Sequence, residues 1–165
     1  MRKIYLLALL CILTCTSLLA QMPSQGNAPV IKQETINLTK ADFLKLVENY
    51  EENPKDWVYL GNKPCIIDFY ATWCGPCRRL SPIMEELALE YKGNITFYKI
   101  DTDKEKELAE AFGIKSIPTM LFCPMKGNPQ MAQGALPKSE LIRIIDNVLL
   151  QKQKVKKKNK KTTTK

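Results

Sequence analysis

The sequence predicts an α/β domain in which a mixed sheet of about five strands carries helices on both faces. Short apolar runs rich in β-branched residues alternate along the chain with longer segments whose apolar residues recur at helical spacing. The last two strand-like segments are joined by a Gly-Asn-Pro turn, which is typical of a hairpin and makes the sheet mixed. No internal repeat is visible, so one domain accounts for the pattern.

Local signals indicate the first helix and the strand after it. Thr39 and Asp42 stand three residues apart, as in a capping box. The buried face of the helix is expected to consist of Phe43, Leu44 and Val47. Cys65–Tyr70 is too short and too β-branched for a helix and is predicted to be a buried strand. The connection over 53–64 is predicted to be a packed surface loop, with two aromatic anchors, Trp57 and Tyr59.

The sequence of the rest of the domain predicts a long helix followed by five shorter elements. The long helix begins near Pro76, and its apolar face is formed by Leu80, Ile83, Met84, Leu87, Ala88 and Tyr91. The later elements are a strand over 95–101, a helix over 105–112, a strand over Thr119–Cys123, an edge strand over 131–134 and a helix over 138–150.

Two cysteines lie at the start of the long helix, in the motif Trp73-Cys74-Gly75-Pro76-Cys77. Unpaired backbone N–H groups and the positive end of the helix dipole favour an anion at this point, which lowers the pKa of a thiol there. We therefore expect Cys74 to be a thiolate near neutral pH. Cys77, one turn further in, is expected to be shielded and to keep its proton longer.

Two alternative interpretations of the cysteine pair are less favoured. A zinc site needs four ligands, and the chain contains no histidine and no second Cys-x-x-Cys pair. A purely structural disulfide would close a loop of only four residues and would restrict the unfolded chain little. Redox chemistry is the interpretation that remains.

The residues around this motif resemble the thioredoxin family. Asp68-Phe69 precede the motif, Ile117-Pro118-Thr119 follow it, and the resemblance covers about residues 35–150. It implies the thioredoxin fold and the activity of a thiol–disulfide oxidoreductase. It implies no cofactor and no metal.

The resemblance also implies roles for individual residues. Cys74 would be the nucleophile and Cys77 the resolving thiol, so that the oxidised protein holds a Cys74–Cys77 disulfide. Asp68 would be a buried carboxyl that assists deprotonation of Cys77, with Lys99 as its neighbour. Pro118 would be a cis-proline whose preceding residue pairs with the substrate backbone. The implied substrate-binding residues are Trp73, Gly75, Pro76, Ile117, Pro118 and Gly134.

Two classes of function fit this motif: an enzyme, or a non-enzymatic module of the same fold that binds cysteine-containing chains. The joint presence of both cysteines, Asp68 and Pro118 favours the enzyme, because a scaffold needs none of them. Strongly oxidising relatives tend to have a histidine between the cysteines, where this chain has Gly75-Pro76. A reduction potential near about −270 mV rather than about −120 mV is therefore expected, which predicts a disulfide reductase. An oxidant or isomerase is the alternative.

The two ends of the chain differ from the domain between them. Residues 1–20 combine a positive start with a short apolar run, which is typical of a secretory signal peptide. Residues 21–33 are expected to be a flexible leader, 34–150 the thioredoxin-like domain and 151–165 a disordered lysine-rich tail. An exported, periplasmic protein is therefore expected. A lipid anchor through Cys15, or secretion, is the alternative.

Charge is divided unevenly between these parts. The signal segment holds two of the 25 lysines and arginines and the tail eight, and neither holds any of the 17 acidic residues, so the domain keeps 15 positive and 17 negative side chains. A solvated tail without a function is favoured, and contact with an anionic surface is the alternative. Nucleic acid is not expected because the tail lacks aromatic residues and the protein is expected to be exported. The domain is expected to be a monomer that acts on disulfide-containing proteins and receives electrons from a membrane thiol relay.

A second pair of cysteines is expected to meet inside the sheet. Cys65 begins the strand that leads to the active site, and Cys123 ends the strand that follows Pro118. If the two strands are antiparallel neighbours, these cysteines face each other within disulfide reach. Two free, buried thiols are favoured over a second bridge or a redox-sensing pair, because buried thiols are common and cross-strand bridges are strained.

Overall fold

The computed structural model describes residues 34–152, so the predicted signal peptide, the leader and most of the tail lie outside the described residues. The strands are β1 (Ile36–Asn37), β2 (Cys65–Tyr70), β3 (Thr96–Asp101), β4 (Thr119–Cys123) and β5 (Gln130–Gln133). The helices are α1 (Lys40–Leu46), α2 (Gly75–Glu90), α3 (Lys106–Ala111) and α4 (Lys138–Ile144), and a π-helical turn (Ile145–Leu149) continues α4.

The five strands form one mixed sheet in the order β1-β3-β2-β4-β5. β1 and β2 run parallel to β3, whereas β4 is antiparallel to both β2 and β5. The predicted mixed sheet of about five strands is confirmed. The central strand β2 is buried along almost its whole length, as its β-branched sequence predicts.

Side chains of β2 alternate between two cores, one on each face of the sheet. Ile66 belongs to the cluster that contains Leu80 and Leu87 of α2. Ile67 and its neighbours on the other face belong to the cluster that contains Phe43 of α1. Helices therefore cover both faces, and the same alternation directs Asp68 to the face that α2 covers.

The first helix has the cap that its sequence predicts. The Asp42 N–H donates to Thr39 Oγ1 at 3.2 Å, and the Thr39 N–H donates to Asp42 Oδ2 at 3.4 Å, which completes a capping box. Phe43 and Val47 are fully buried, as predicted, whereas Leu44 is only partly buried.

The loop over 53–64 is packed by its aromatic residues, as predicted. The rings of Trp57 and Tyr59 stack at 6.4 Å with an interplanar angle of 8°, and Trp57 also meets the edge of Phe112. The Leu60 N–H donates to the Val47 carbonyl at 2.8 Å, which ties the loop to the end of α1. The loop therefore covers one end of the apolar cluster between β2, α1 and α3.

Three details of the fold differ from the sequence prediction. Only four of the strands were assigned to residues from the sequence. The fifth is β1, whose two residues are too few to show the alternation of side chains that is typical of a strand. The predicted edge strand over 131–134 is observed as Gln130–Gln133, because Gly134 has φ +86° and leaves the extended conformation. The strand over 95–101 begins one residue later than predicted, and the helix over 105–112 is one residue shorter at each end.

The predicted single helix over 138–150 is observed as α4 followed by the π-helical turn. Its buried residues are Leu141, Ile145 and Leu149, a row spaced by four. In a regular helix of 3.6 residues per turn, residues four apart are more than one turn apart, so the row gradually leaves the buried face. A π-helical turn contains more residues and brings the row back towards that face. The Leu150 N–H accordingly donates to the Ile145 carbonyl at 2.9 Å, five residues back. Within residues 34–152, none of the helices is long and apolar enough to cross a membrane.

Candidate active site

The chain places a pair of cysteines at the junction of β2 and α2. Cys74 is the N-cap of α2, and the Cys77 N–H donates to Cys74 Sγ at 3.2 Å. Pro76 lies in the first turn, where the missing N–H of proline would have no helical partner in any case. The sulfur of Cys74 therefore occupies the position that an anion occupies at a helix start.

Cys74 and Cys77 form a disulfide with an S–S distance of 2.05 Å and a Cα–Cα distance of 5.3 Å. Their residues are 4% and 3% exposed, so Cys77 is shielded as predicted but Cys74 is almost equally covered. Exposure therefore does not distinguish the two thiols. The positions of the two cysteines in the helix distinguish them, because only Cys74 Sγ accepts a hydrogen bond from a backbone N–H of the first turn.

The loop before β4 lies against this disulfide. The peptide bond between Ile117 and Pro118 is cis, and the Ile117 carbonyl oxygen lies 3.7 Å from Cys74 Sγ. The Gly134 N–H donates to the Pro118 carbonyl at 2.8 Å, so the end of β5 supports the same loop. The predicted substrate-binding residues Ile117, Pro118 and Gly134 are thus brought together beside Cys74.

Trp73 forms the exposed rim of the site. Its residue is 66% exposed, and its indole Nε1 donates to Asp103 Oδ2 at 2.8 Å. Gly75 begins α2 directly after the cysteine, with no atom nearer than 4.0 Å to the place of a side chain. An exposed aromatic side chain therefore lies next to a disulfide that is itself nearly buried. The contact between Trp73 and Asp103 was not predicted, because the two residues lie on different loops.

A buried carboxyl lies behind the disulfide. Asp68 is 1% exposed, and its Oδ1 has no hydrogen-bond partner within the described part of the chain. Burial raises the pKa of Asp68 to about 7, and the positive charge of Lys99 opposes the rise. Asp68 and Lys99 are direct neighbours in the parallel pairing of β2 with β3, so their side chains share one face of the sheet.

The ammonium of Lys99 is held by groups other than Asp68. Lys99 Nζ donates to Ser81 Oγ at 3.3 Å and lies 4.9 Å from the centroid of the Tyr70 ring. Both contacts were missed by the sequence analysis. Ser81 lies one helical turn after Cys77, and that spacing is the signal that would have placed it on the same face.

Asp68, Cys77, Ser81 and Lys99 line one cavity of about 100 Å³, together with Arg78. A cavity of that size has room for water between the carboxyl and the thiol. The site can therefore move a proton between the buried carboxyl and the second cysteine. Among the described residues, no group of three or more His, Cys, Asp or Glu side chains is placed to hold a metal ion.

A disulfide that opens into one helix-stabilised thiolate and one shielded thiol exchanges electron pairs with the disulfides of other molecules. The fold and the site together define a thiol–disulfide oxidoreductase. The family model of thioredoxin matches residues 34–147. The chain belongs to the thioredoxin family, and its enzymatic class is that of a thioredoxin-type disulfide reductase.

Similar proteins agree with this assignment. The chain is 48% identical over 110 residues to a thioredoxin of Borreliella burgdorferi, a match that covers 67% of this chain and 93% of that protein. It is 33% identical over 144 residues to a chloroplastic thioredoxin of the M type from Pisum sativum, with 84% of each chain covered. A crystal structure of chloroplastic thioredoxin z superposes with a TM-score of 0.56 at 25% identity and covers 68% of this chain and 92% of its own.

Proposed function

We propose that this protein reduces disulfides of exported proteins and that the Cys74–Cys77 dithiol supplies the two electrons. One observation carries the proposal: the sulfur of Cys74 is the acceptor of the first-turn N–H of α2, which stabilises negative charge there. The exposed ring of Trp73 and the Ile117 carbonyl beside Cys74 offer an extended substrate chain apolar and backbone contacts next to that sulfur.

In the first step, the Cys74 thiolate of the reduced protein attacks one sulfur of the substrate disulfide. A bond forms between Cys74 and the substrate, the substrate S–S bond breaks, and the departing substrate sulfur takes a proton. The product is a mixed disulfide at the rim of the site. The backbone N–H of Cys77 favours this step because it stabilises the attacking thiolate.

In the second step, Cys77 releases the substrate. Its thiol loses a proton to the Asp68 carboxylate, the resulting thiolate attacks Cys74, and the second substrate sulfur leaves as a thiolate that takes a proton. Asp68 suits this role because its pKa of about 7 lets it accept and return a proton near neutral pH, and because it shares a cavity with Cys77. The Cys74–Cys77 disulfide is formed, and two electrons have passed to the substrate.

The exported location and the direction of electron flow rest on the sequence. Residues 1–20 have the pattern of a signal peptide, and Gly75-Pro76 lacks the histidine of strongly oxidising relatives. A reductant outside the cytoplasm needs electrons from a membrane thiol relay, which we propose as the donor. Measurement of the reduction potential of the Cys74–Cys77 pair tests the direction, and a value above about −150 mV would instead support an oxidant or isomerase.

Trapping of mixed disulfides tests the two cysteine roles. Cys77→Ser should accumulate substrates linked through Cys74, because attack proceeds and release does not. Cys74→Ser is the matched control and should trap nothing. Mixed disulfides that map to Cys77 in the control variant would reverse the assigned roles.

Fractionation of cells that produce the full chain tests the location. We expect a periplasmic product that begins at Gln21. A product that carries lipid on Cys15, or one in the growth medium, would replace that location with one of the two alternatives. Removal of residues 151–165, which carry eight lysines, should abolish adsorption to anionic lipid vesicles if the tail contacts an anionic surface.

A further inference from the structure

A second pair of thiols lies at the end of the sheet opposite to the active site. Cys65 and Cys123 are direct partners in the antiparallel pairing of β2 with β4, as the sequence predicted. Both are 0% exposed, and they are the free cysteines of the described residues. The reduction mechanism uses neither of them.

The hydrogen-bond pattern shows which kind of cross-strand pair they form. Because the Gly134 N–H donates to the Pro118 carbonyl, residues 118, 120 and 122 direct their backbone groups to β5, and Cys123 directs its own to β2. The Thr96 N–H donates to the Pro64 carbonyl, so the backbone groups of Pro64 point to β3. Those of the next residue, Cys65, therefore point to β4. Cys65 and Cys123 therefore form a hydrogen-bonded pair, whose Cα atoms lie about 5.5 Å apart. That distance matches the usual Cα separation of a disulfide.

The surroundings of this pair cover both sulfurs and disfavour ionisation of Cys123. Burial raises the pKa of Cys123, and hydrogen bonding to Cys65 and the nearby carboxyl of Glu48 act in the same direction. The hydroxyl of Tyr59 lies beside Cys65 and donates to the Lys63 carbonyl. The stacked rings of Trp57 and Tyr59 are part of the same apolar cluster as the two thiols. The loop over 53–64 is therefore the cover of this pair.

We propose that Cys65 and Cys123 are a second redox couple of this protein, oxidised to a cross-strand disulfide by a low-molecular-weight disulfide when the loop over 53–64 opens. One cysteine attacks the small disulfide and displaces its first sulfur as a thiol. The other cysteine then attacks the mixed disulfide, forms the Cys65–Cys123 bond and displaces the second sulfur as a thiol. Two protein thiols are oxidised, and one small disulfide is reduced to two thiols.

This couple acts independently of the active-site dithiol. Five residue steps along β2 separate Cys65 from Tyr70, which corresponds to about 16 Å of extended chain. Direct exchange between Cys65 and the Cys74–Cys77 disulfide within one molecule is excluded at that distance. The loop over 53–64 thus has a function in this proposal, as the element that controls how fast the buried pair is oxidised.

The test uses the full chain with Cys11, Cys15, Cys74 and Cys77 replaced by serine, so that Cys65 and Cys123 are its only thiols. The probe is glutathione disulfide, followed by alkylation under denaturing conditions and mass spectrometry. We expect a monomer that has lost two hydrogens, takes up no alkylating agent and yields a peptide pair linked through Cys65 and Cys123. Two alkylated thiols after prolonged incubation, or a chain that carries only bound glutathione, would overturn the proposal.

Variants of the cover test the part assigned to the loop. Trp57→Ala should speed oxidation by at least about tenfold, since truncation of a packed aromatic favours local opening. Val58→Ala is the matched control, because this neighbour is 41% exposed, and its rate should stay within about twofold of the parent. Far-ultraviolet circular dichroism establishes that both variants are folded. Equal rates for the two folded variants would refute the loop as the cover.

Discussion

Replacement of Asp68 by asparagine should stabilise the oxidised protein at alkaline pH and destabilise it near pH 4. Burial raises the pKa of Asp68 from its ordinary value of 3.8 to about 7. The folded protein therefore binds this proton more tightly than the unfolded chain does. Ionisation of Asp68 penalises the folded state, and the penalty grows as the pH rises from about 4 to about 7. A pKa difference of this size corresponds to about 4 kcal/mol of lost stability above pH 7.

The variant recovers only part of that free energy. Asparagine carries no charge, but it brings amide N–H groups to a position where Asp68 Oδ1 has no hydrogen-bond partner among the described residues. An unsatisfied buried polar group costs about 1–3 kcal/mol. We therefore expect Asp68→Asn to raise the free energy of unfolding by about 1–3 kcal/mol at pH 8.

Urea denaturation of the wild type and the variant between about pH 4.5 and 8 measures this effect. The difference in unfolding free energy should increase with pH and level off above about pH 7, since all other titrating groups are common to both proteins. Asp56→Asn removes an exposed carboxyl and serves as the control, with a profile parallel to that of the wild type. Parallel profiles for Asp68→Asn and the wild type would show that Asp68 is not a buried group of raised pKa.

Three further substitutions test contacts around the site and in the first helix. Ser81→Ala frees the ammonium of Lys99 to approach Asp68 and should lower the pKa of that carboxyl, which NMR titration measures. Ser81→Thr keeps the hydroxyl and should leave the pKa of Asp68 unchanged. Equal pKa values of Asp68 in the two variants would contradict the contact between Ser81 and Lys99. Thr39→Ala should destabilise the protein by about 1 kcal/mol in urea denaturation, and Thr39→Ser by much less; equal losses would show that the capping hydroxyl is not the cause. Gly134→Ala meets no atom within 4 Å but needs a φ of +86°, so it should cost about 1–2 kcal/mol of conformational energy, and unchanged stability would show that the backbone relaxes there.

The sequence predicted those elements whose signals are local. The capping residues of α1, the β-branched run of β2 and the helical period of α2 each lie within one short segment, and each element is confirmed. β1 was not placed because two residues have no period. Its position depends on distant contacts, in which the N–H groups of Glu34 and Thr35 donate to Glu85 on α2 at 2.7 and 3.0 Å.

The active site, too, was predictable where its signals are local in the sequence and not where it depends on distant contacts. Cys74 and Cys77 are adjacent on one helix, so their arrangement follows from the motif alone. Lys99 is the neighbour of Asp68, as expected. The contact of its ammonium with Ser81 depends on the packing of α2 over β3 and was not predicted. The pairing of Cys65 with Cys123 was predicted from topology, since the strands that carry them were expected to be antiparallel neighbours.

Cysteines lie at both ends of the β2 region, and their surroundings give them different reactivity. Cys74 lies beyond the end of the strand, where the first turn of α2 provides a backbone N–H that stabilises a thiolate. Cys65 faces the apolar cluster at the other end, where it meets a second thiol and the Tyr59 hydroxyl. No helix start provides a donor at this pair, and burial raises the pKa of the partner thiol, Cys123. Rapid exchange at Cys74 and slow, loop-controlled oxidation of the buried Cys65–Cys123 pair follow from this difference in position, because thiol–disulfide exchange proceeds through the thiolate and needs access to the sulfur.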